Sequence, residues 1–183
     1  MILLVAATEA ELCDHEGLVC GVGPVEAAAA TARALAESRP AAVLHVGLAG
    51  CRRGCGLEVG RLVIGSEAVY DDVVTALAPR RVAPDPRLVA AAREALPDAA
   101  LAPIGTSGTV GGTRGHDVEA MEGFAVLRAA ELAGVAAVEV RAVSNEIEEE
   151  DRARWRFDDA LGALARALPP LTAAIGAARS ASP

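Results

Sequence analysis

Aromatic side chains are scarce in this sequence: its 183 residues hold one Trp, one Tyr and two Phe. Hydrophobic residues still make up 52% of the chain, so a sizeable core must be built from Ala, Val and Leu, and each aromatic stands out as a functional candidate. Positive charge is also short, with 17 basic against 25 acidic residues and a net charge of -8. Binding a polyanion requires a basic footprint to neutralise phosphates. None is visible, which argues against a nucleic-acid polymer as partner and leaves small neutral ligands open. The four cysteines, Cys13, Cys20, Cys51 and Cys55, form no CxxC pair, and no His stands beside Cys51 and Cys55 to complete a zinc pattern. Free thiols in a reducing cytoplasm are the expectation, with no metal site. No apolar run reaches the roughly 18 residues of a membrane helix. The apolar stretch 1–7 is short, lacks a basic flank and meets Glu9, so it reads as a buried first strand rather than a signal peptide. Repeats and linkers are missing too, and one domain over residues 1–183, ending in a short tail at 179–183, is the economical organisation.

What is present is alternation. Strand-length apolar runs at 2–7, 18–22, 42–46, 61–66, 101–106 and 135–143 are interleaved with helical stretches at 24–37, 85–95, 118–133 and 158–178. The last is expected to break at Pro169-Pro170, because proline removes a helical donor and clashes with the preceding turn. Continuously apolar strands alternating with helices predict an α/β sheet covered on both faces. Glycine clusters at 21–23, 47–50 and 105–115 are expected just after strands, where α/β sheets place their ligands. Gly21-Val22-Gly23 is not a dinucleotide fingerprint, since Glu26 stands where its third glycine belongs.

Three acidic or polar clusters are candidates for chemistry. Glu119-Ala120-Met121-Glu122-Gly123 is expected to open a helix, with Glu122 in the first turn, where a carboxylate is favoured by the helix dipole whether or not it has a function. The strand ending in Ser144-Asn145 delivers two polar groups that either cap the next helix or face a ligand. Within it, Glu139 and Arg141 share a face by alternation and must find partners, a structural ion pair being the simplest arrangement. Thr8-Glu9-Ala10-Glu11 follows the first strand; alone it reads as an exposed acidic turn, but either acid could reach the mouth of the sheet.

In order along the chain, Glu11, Gly21-Val22-Gly23, Gly47-Leu48-Ala49-Gly50, Ala120-Met121-Glu122-Gly123 and Arg141-Ala142-Val143-Ser144-Asn145 resemble the purine nucleoside phosphorylase and nucleosidase superfamily, specifically its hydrolytic members. The Met121-Glu122 run, the strand 139–145 and the segment 151–155 are similar to futalosine hydrolases of the alternative menaquinone pathway. Methylthioadenosine/S-adenosylhomocysteine nucleosidases are similar too, but carry Asp where Asn145 stands. The resemblance implies a three-layer α/β sandwich with a central mixed, twisted sheet, a homodimer or larger homo-oligomer, and a purine nucleoside plus water as substrates, with no cofactor and no metal. Glu11 would be the general base that activates water. Asn145, set by Ser144, would stabilise the departing purine. Met121 would pack on the ribose and Glu122 accept from its hydroxyls. Leu48, Ala49 and Gly50 would line the base pocket, with Trp155 (or Phe157) stacking on it, and Arg152 and Arg154 as candidates for the substituent at the substrate's 5′ end. An Asn amide carries two donors, suited to N7 and O6 of a 6-oxopurine such as hypoxanthine, whereas an ionised Asp would be repelled there. Phosphorolysis is the enzymatic alternative; it is disfavoured because the glycine turn has no adjacent Lys or Arg and Glu11 would repel phosphate. A nucleoside-binding protein without turnover is the non-enzymatic one. Two segments are shorter than in relatives, one between Glu11 and the strand at 18, the other between Gly108 and Met121.

Overall fold

The computed structural model describes residues 1–180; residues 181–183, most of the expected tail, lie outside them. In chain order the elements are β1 (Ile2–Ala6), α1 (Glu9–Leu12), β2 (Leu18–Val19), α2 (Pro24–Ser38), β3 (Ala42–Cys51), β4 (Leu62–Tyr70), β5 (Arg81–Val82), α3 (Pro86–Ala95), β6 (Ala100–Thr106), β7 (Val118–Ala120), α4 (Gly123–Leu132), β8 (Ala136–Glu146), a 3-10 turn (Arg152–Arg154) and α5 (Phe157–Ser180). The eight strands form one mixed sheet flanked by helices. Long β3 is its spine, running parallel to β1 over its first half and to β8 over its whole length. Beyond the end of β1, the last two residues of β3 pair antiparallel with β7 instead. Because β8 also pairs with β4, β4 with β6, and β6 with β7, the circuit β3–β8–β4–β6–β7 closes on itself.

Strand alternation assigns the side chains to three apolar regions. Leu44, Val46, Val138 and Val140 face α3 and α5, where Leu88, Leu164, Leu168 and Leu171 are fully buried. Val5, Val43 and Ala137 face α2 and α4. Ala49, Val63, Ile104, Val118 and Val143 fill the closed end of the circuit.

Several sequence-based boundaries are corrected. The expected helix at 118–133 is a strand over Val118–Ala120 followed by a helix from Gly123. Short, wholly apolar runs do not separate strand from helix, and pairing with β3 and β6 decides here. Glu122 therefore caps α4 instead of lying in its first turn. Strands β3 and β8 extend to Cys51 and Glu146, so Gly47 to Gly50, Ser144 and Asn145 lie within strands rather than after them. The strand expected at 18–22 is only Leu18–Val19, and Thr8 to Glu11 form the N-terminus of a short helix rather than an exposed turn. Helix α5 is continuous through Pro169-Pro170 and takes in Arg179 and Ser180. The fully buried Leu168 and Leu171 clamp it on either side of the prolines, and the Thr172 hydroxyl donates to the Leu168 carbonyl at 2.9 Å. By length and composition α5 could cross a membrane; Leu164, Leu168, Leu171 and Ile175 pack it on the sheet as a core helix.

Candidate active site

At the end of the sheet where β3, β7 and β8 meet, a cavity of about 560 Å³ opens. All nine residues singled out from the sequence line it: Glu11, Leu48, Ala49, Gly50, Met121, Glu122, Ser144, Asn145 and Trp155.

Glu11 arrives on α1 and is held at both oxygens. One accepts from the backbone N–H (3.0 Å) and hydroxyl (2.8 Å) of Thr8, the helix N-cap; the other accepts from the Leu48 N–H at 2.9 Å. Its side chain is thereby fixed against β3, and the short segment behind it does not withdraw it from the cavity. Glu122, at the β7–α4 junction, accepts from the Gly23 N–H at 3.0 Å and from Arg141 Nη2 at 3.3 Å. Asn145 is opposite Gly50 in the β3–β8 register, two residues along β3 from the Leu48 amide that binds Glu11, a separation of about 7 Å. The Ser144 hydroxyl donates to Asn145 Oδ1 at 2.8 Å, and Asn145 Nδ2 donates to the Glu146 carbonyl at 2.9 Å. One of its two N–H donors is thus engaged and one is free, which narrows the two-donor argument made from the sequence. A side chain at position 50 would approach Asn145 Nδ2 to 3.1 Å, so glycine there gives the amide its place.

Behind the cavity lies a fully buried charged network. Arg141 donates from Nε to Glu139 at 2.8 Å, from Nη1 to the Leu48 carbonyl at 3.4 Å, and from Nη2 to both Glu122 and His45 Nε2. The ion pair expected between Glu139 and Arg141 is present, extended to a second carboxylate. His45 Nδ1 sits 3.1 Å from the Val5 carbonyl, which can only accept. The proton is therefore on Nδ1, and Nε2 accepts from Arg141. Burial, reinforced by the Arg141 charge, holds His45 well below the ordinary histidine range. Burial also pushes Glu139 upward, against the pull of Arg141. Arg141 itself is penalised by burial, but Glu139, Glu122 and Glu11 together outweigh that penalty and raise it. Nearby Cys20 is pushed up to about 12 by burial and by the Glu122 charge, so it holds its proton and is no nucleophile.

At the mouth, Trp155 donates from Nε1 to the Glu149 carbonyl at 2.9 Å, leans on Phe157 with ring centroids 5.5 Å apart, and carries the Arg152 guanidinium 5.5 Å from its ring centre. Phe157 and Arg152 also line the cavity. Arg154 is instead drawn to Glu149 (3.4 Å) and Asp151 (3.7 Å). The sequence assigned no site role to Glu119, Thr8, Val22 or Val110, which line the cavity as well. The signal for Glu119 was its spacing: on a strand it shares a side with Met121, but the helix assignment hid this. Its carboxylate accepts from the Thr113 N–H (2.8 Å) and hydroxyl (2.7 Å) and from the Gly111 N–H, so it ties down the 107–117 loop.

The cavity therefore offers three fixed carboxylates, one free amide donor, an apolar thioether and an aromatic rim. That set can bind a hydroxylated ring, stabilise positive charge on it, and donate to an acceptor on a flat heterocycle.

Comparison with known proteins agrees with this chemistry. Residues 17–175 match the phosphorylase superfamily. A futalosine hydrolase of Streptomyces coelicolor is 36% identical, the match covering 84% of this chain and 77% of the relative, and one of Thermus thermophilus is 34% identical over 88% and 83%. In fold, the chain is similar to futalosine hydrolase of Helicobacter pylori, with a TM-score of 0.82 and 15% identity over 94% of this chain and 97% of that one. It is likewise similar to a 5′-methylthioadenosine/S-adenosylhomocysteine nucleosidase of Colwellia psychrerythraea in complex with adenine, at 0.80 and 22% over 97% and 94%. The chain belongs to the phosphorylase superfamily, among the relatives of the futalosine hydrolases.

Proposed function

We infer that this protein is a hydrolase that cleaves the N-glycosidic bond of a purine nucleoside, with futalosine as the substrate and hypoxanthine as the released base. The observation that carries the reading is the meeting of Glu11, Glu122 and Asn145 in one cavity of nucleoside size. Glu122, held beside Arg141, accepts from the ribose 2′ and 3′ hydroxyls while Met121 packs on the ring. As the glycosidic bond breaks, positive charge grows at C1′, and the two carboxylates stabilise it. Glu11 takes the proton of the attacking water as general base. The free N–H of Asn145 donates to the departing base as negative charge collects there; the amide has no proton to transfer, so the base leaves as an anion and is protonated by solvent. Trp155 stacks on the purine.

Hydrolysis is favoured over phosphorolysis because Glu11, Glu119 and Glu122 all line the cavity, and the Gly23 amide of the glycine turn is already given to Glu122. We further propose that the enzyme works in menaquinone biosynthesis, in the cytoplasm, where its four cysteines remain thiols. We also propose a homodimer or larger homo-oligomer: Val22 and Val110 line the cavity yet are 55% and 38% exposed, and a second copy would cover them.

The test is a base-release assay on futalosine, inosine and methylthioadenosine, with and without phosphate. Phosphate-independent hypoxanthine release from futalosine is expected. Glu11→Gln should lose about 10²–10⁴-fold in rate with little change in binding. Binding without release of any base would leave a nucleoside-binding protein and refute the enzymatic reading.

A further inference from the structure

One guanidinium pairs with two buried carboxylates in this site and lies beside a third. Arg141 is fully buried, and its nitrogens are divided: Nε to Glu139, Nη2 to Glu122 and His45, and Nη1 over Gly47, where Glu11 Oε1 also lies. Glu11 and Glu122 line the cavity, whereas Glu139 and His45 do not. Glu139 therefore touches no substrate, and a simple structural counter-ion for Arg141 was already available in Glu122. Yet Glu139 is 0% exposed, and its Oε2 has no hydrogen-bond partner. A carboxylate buried with one oxygen unsatisfied is costly. Its surroundings accommodate it by two further means. Gly123 leaves room, since a side chain there would meet both Glu139 oxygens at 2.3 Å. Gly123 is also the first residue of α4, so the carboxylate sits at the favourable end of the helix dipole.

We propose that Glu139 is a positioning residue for the reaction inferred above: it holds Arg141 by Nε and takes a share of its charge, so that Glu122 stays aligned and the field of Arg141 on Glu11 is offset. The inference rests on the proposed nucleosidase reaction. Without the Glu139 charge, Arg141 would keep Glu122 as its ion-pair partner, and its field on Glu11 would be less offset. The acid limb of the rate profile would move to lower pH, and the plateau would fall because a weaker base removes the water proton less well. The other titratable groups around Glu11 are Arg141 from β8, Glu119 from β7, Glu122 from the β7–α4 junction, Arg152 at the cavity mouth, Cys20 after β2 and Cys13 at the end of its own helix; none changes in the variants below. His45 completes the device, accepting from Nη2 and so fixing the guanidinium plane without adding charge.

The experiment is the pH profile of kcat/KM for hypoxanthine release from futalosine, measured for wild type, Glu139→Gln and Glu139→Asp, with a melting curve for each. Glu139→Gln keeps the shape and an acceptor for Nε but removes the charge. It is expected to lower kcat about 10–100-fold with KM within about threefold, and to move the acid limb down by about one pH unit. Glu139→Asp keeps the charge on a shorter arm, so kcat should fall while the acid limb stays in place. Should the Gln variant fail to fold, the Asp variant decides: a folded Glu139→Asp with wild-type kcat overturns the proposal. So does a folded Glu139→Gln whose acid limb is unmoved, the mark of a purely structural counter-ion. A wild-type protein that releases no base from any purine nucleoside overturns the proposed reaction, and this inference with it; a wild type that is active with unaffected variants overturns this inference alone.

Discussion

Gly47→Ala tests the geometry of the site more sharply than removal of any charged group. Gly47 lies in β3 with no unusual backbone conformation, so an alanine there is not strained in itself. The obstacle is space. Its Cβ would stand 2.4 Å from Arg141 Nη1 and 2.7 Å from Glu11 Oε1. Ordinary contact begins near 3.5 Å, so the guanidinium must retreat by about 1 Å. It has nowhere free to go: it is fully buried, with Glu139, Glu122, His45 and the Leu48 carbonyl around it. Overpacking of this kind costs about 1–3 kcal/mol, and a chain of this length loses about 2–4 °C of Tm per kcal/mol. A fall of about 5 °C is the central expectation. The larger effect is on rate, because a displacement of about 1 Å in the group that aligns the carboxylates costs on the order of 10²-fold in kcat/KM. Gly65→Ala, in the neighbouring β4, is the control. Its Cβ would meet Ile104 and Glu139 at 3.4–3.6 Å, ordinary contact, and Tm should stay within the shift that about 1 kcal/mol produces. Thermal melts and steady-state hypoxanthine release measure both quantities. A Gly47→Ala protein with wild-type Tm and activity within twofold would mean that Arg141 and Glu11 are not packed over position 47, and the network would have to be redrawn.

Two further outcomes follow from the same contacts. His45 is buried and neutral, its proton affinity depressed by burial and Arg141, so its contribution to stability is complete above about pH 6.5 and is lost as pH falls below that toward its depressed folded value, by at most about 1.4 kcal/mol per pH unit; denaturant titrations of wild type and His45→Gln should diverge in slope between pH 6.5 and 5, and parallel curves would show that His45 titrates normally. Asn145→Asp places a carboxylate oxygen where Nδ2 now donates to the Glu146 carbonyl, so cleavage of a 6-oxopurine nucleoside should fall about 10²-fold relative to that of a 6-aminopurine nucleoside, and an unchanged ratio of the two rates would remove Asn145 from base selection.

The readable and unreadable parts of this molecule divide along one line. Motifs whose chemistry is local could be read: Met121-Glu122 and Ser144-Asn145 stand at the ends of apolar runs, and alternation alone put Glu139 and Arg141 on one face needing partners. Which partners could not be read, because Glu122, His45 and the Leu48 carbonyl come from segments 19, 96 and 93 residues away from Arg141. The same limit explains the misplaced start of α4. Val118–Ala120 is extended because β3 and β6 lie on either side of it, and nothing within ten residues records that. Pro169-Pro170 failed as a breaker for the converse reason: a local rule met a helix whose buried leucines outweighed it.

The two segments expected from the sequence to be short, after Glu11 and before Met121, are both closed by contacts that reinforce the site. After α1 the chain reverses through left-handed Cys13 and Asp14, with φ of 49° and 63°, and enters β2 at once. Gly17 makes this reversal possible, since a side chain there would run into Leu12 at 2.6 Å and the Leu4 carbonyl at 2.8 Å. The reversal leaves α1 only four residues long, too short to be stable alone. Glu11 is therefore not presented by a rigid helix. It is fixed by its own hydrogen bonds to Thr8 and Leu48, so Glu11 and the strand that lines the pocket hold each other in place. The second segment is tied in the same manner. Asp72 binds the Ser107 hydroxyl and the Gly108 N–H, both at 2.7 Å, and Glu119 binds Gly111 and Thr113, so a carboxylate anchors each half of the loop. Two of the three bracing carboxylates, Glu11 and Glu119, belong to the cavity wall, so the site and the fold share residues: substitution of Thr8 or Thr113, neither of them in contact with the reacting atoms, is expected to loosen the site as well as the fold.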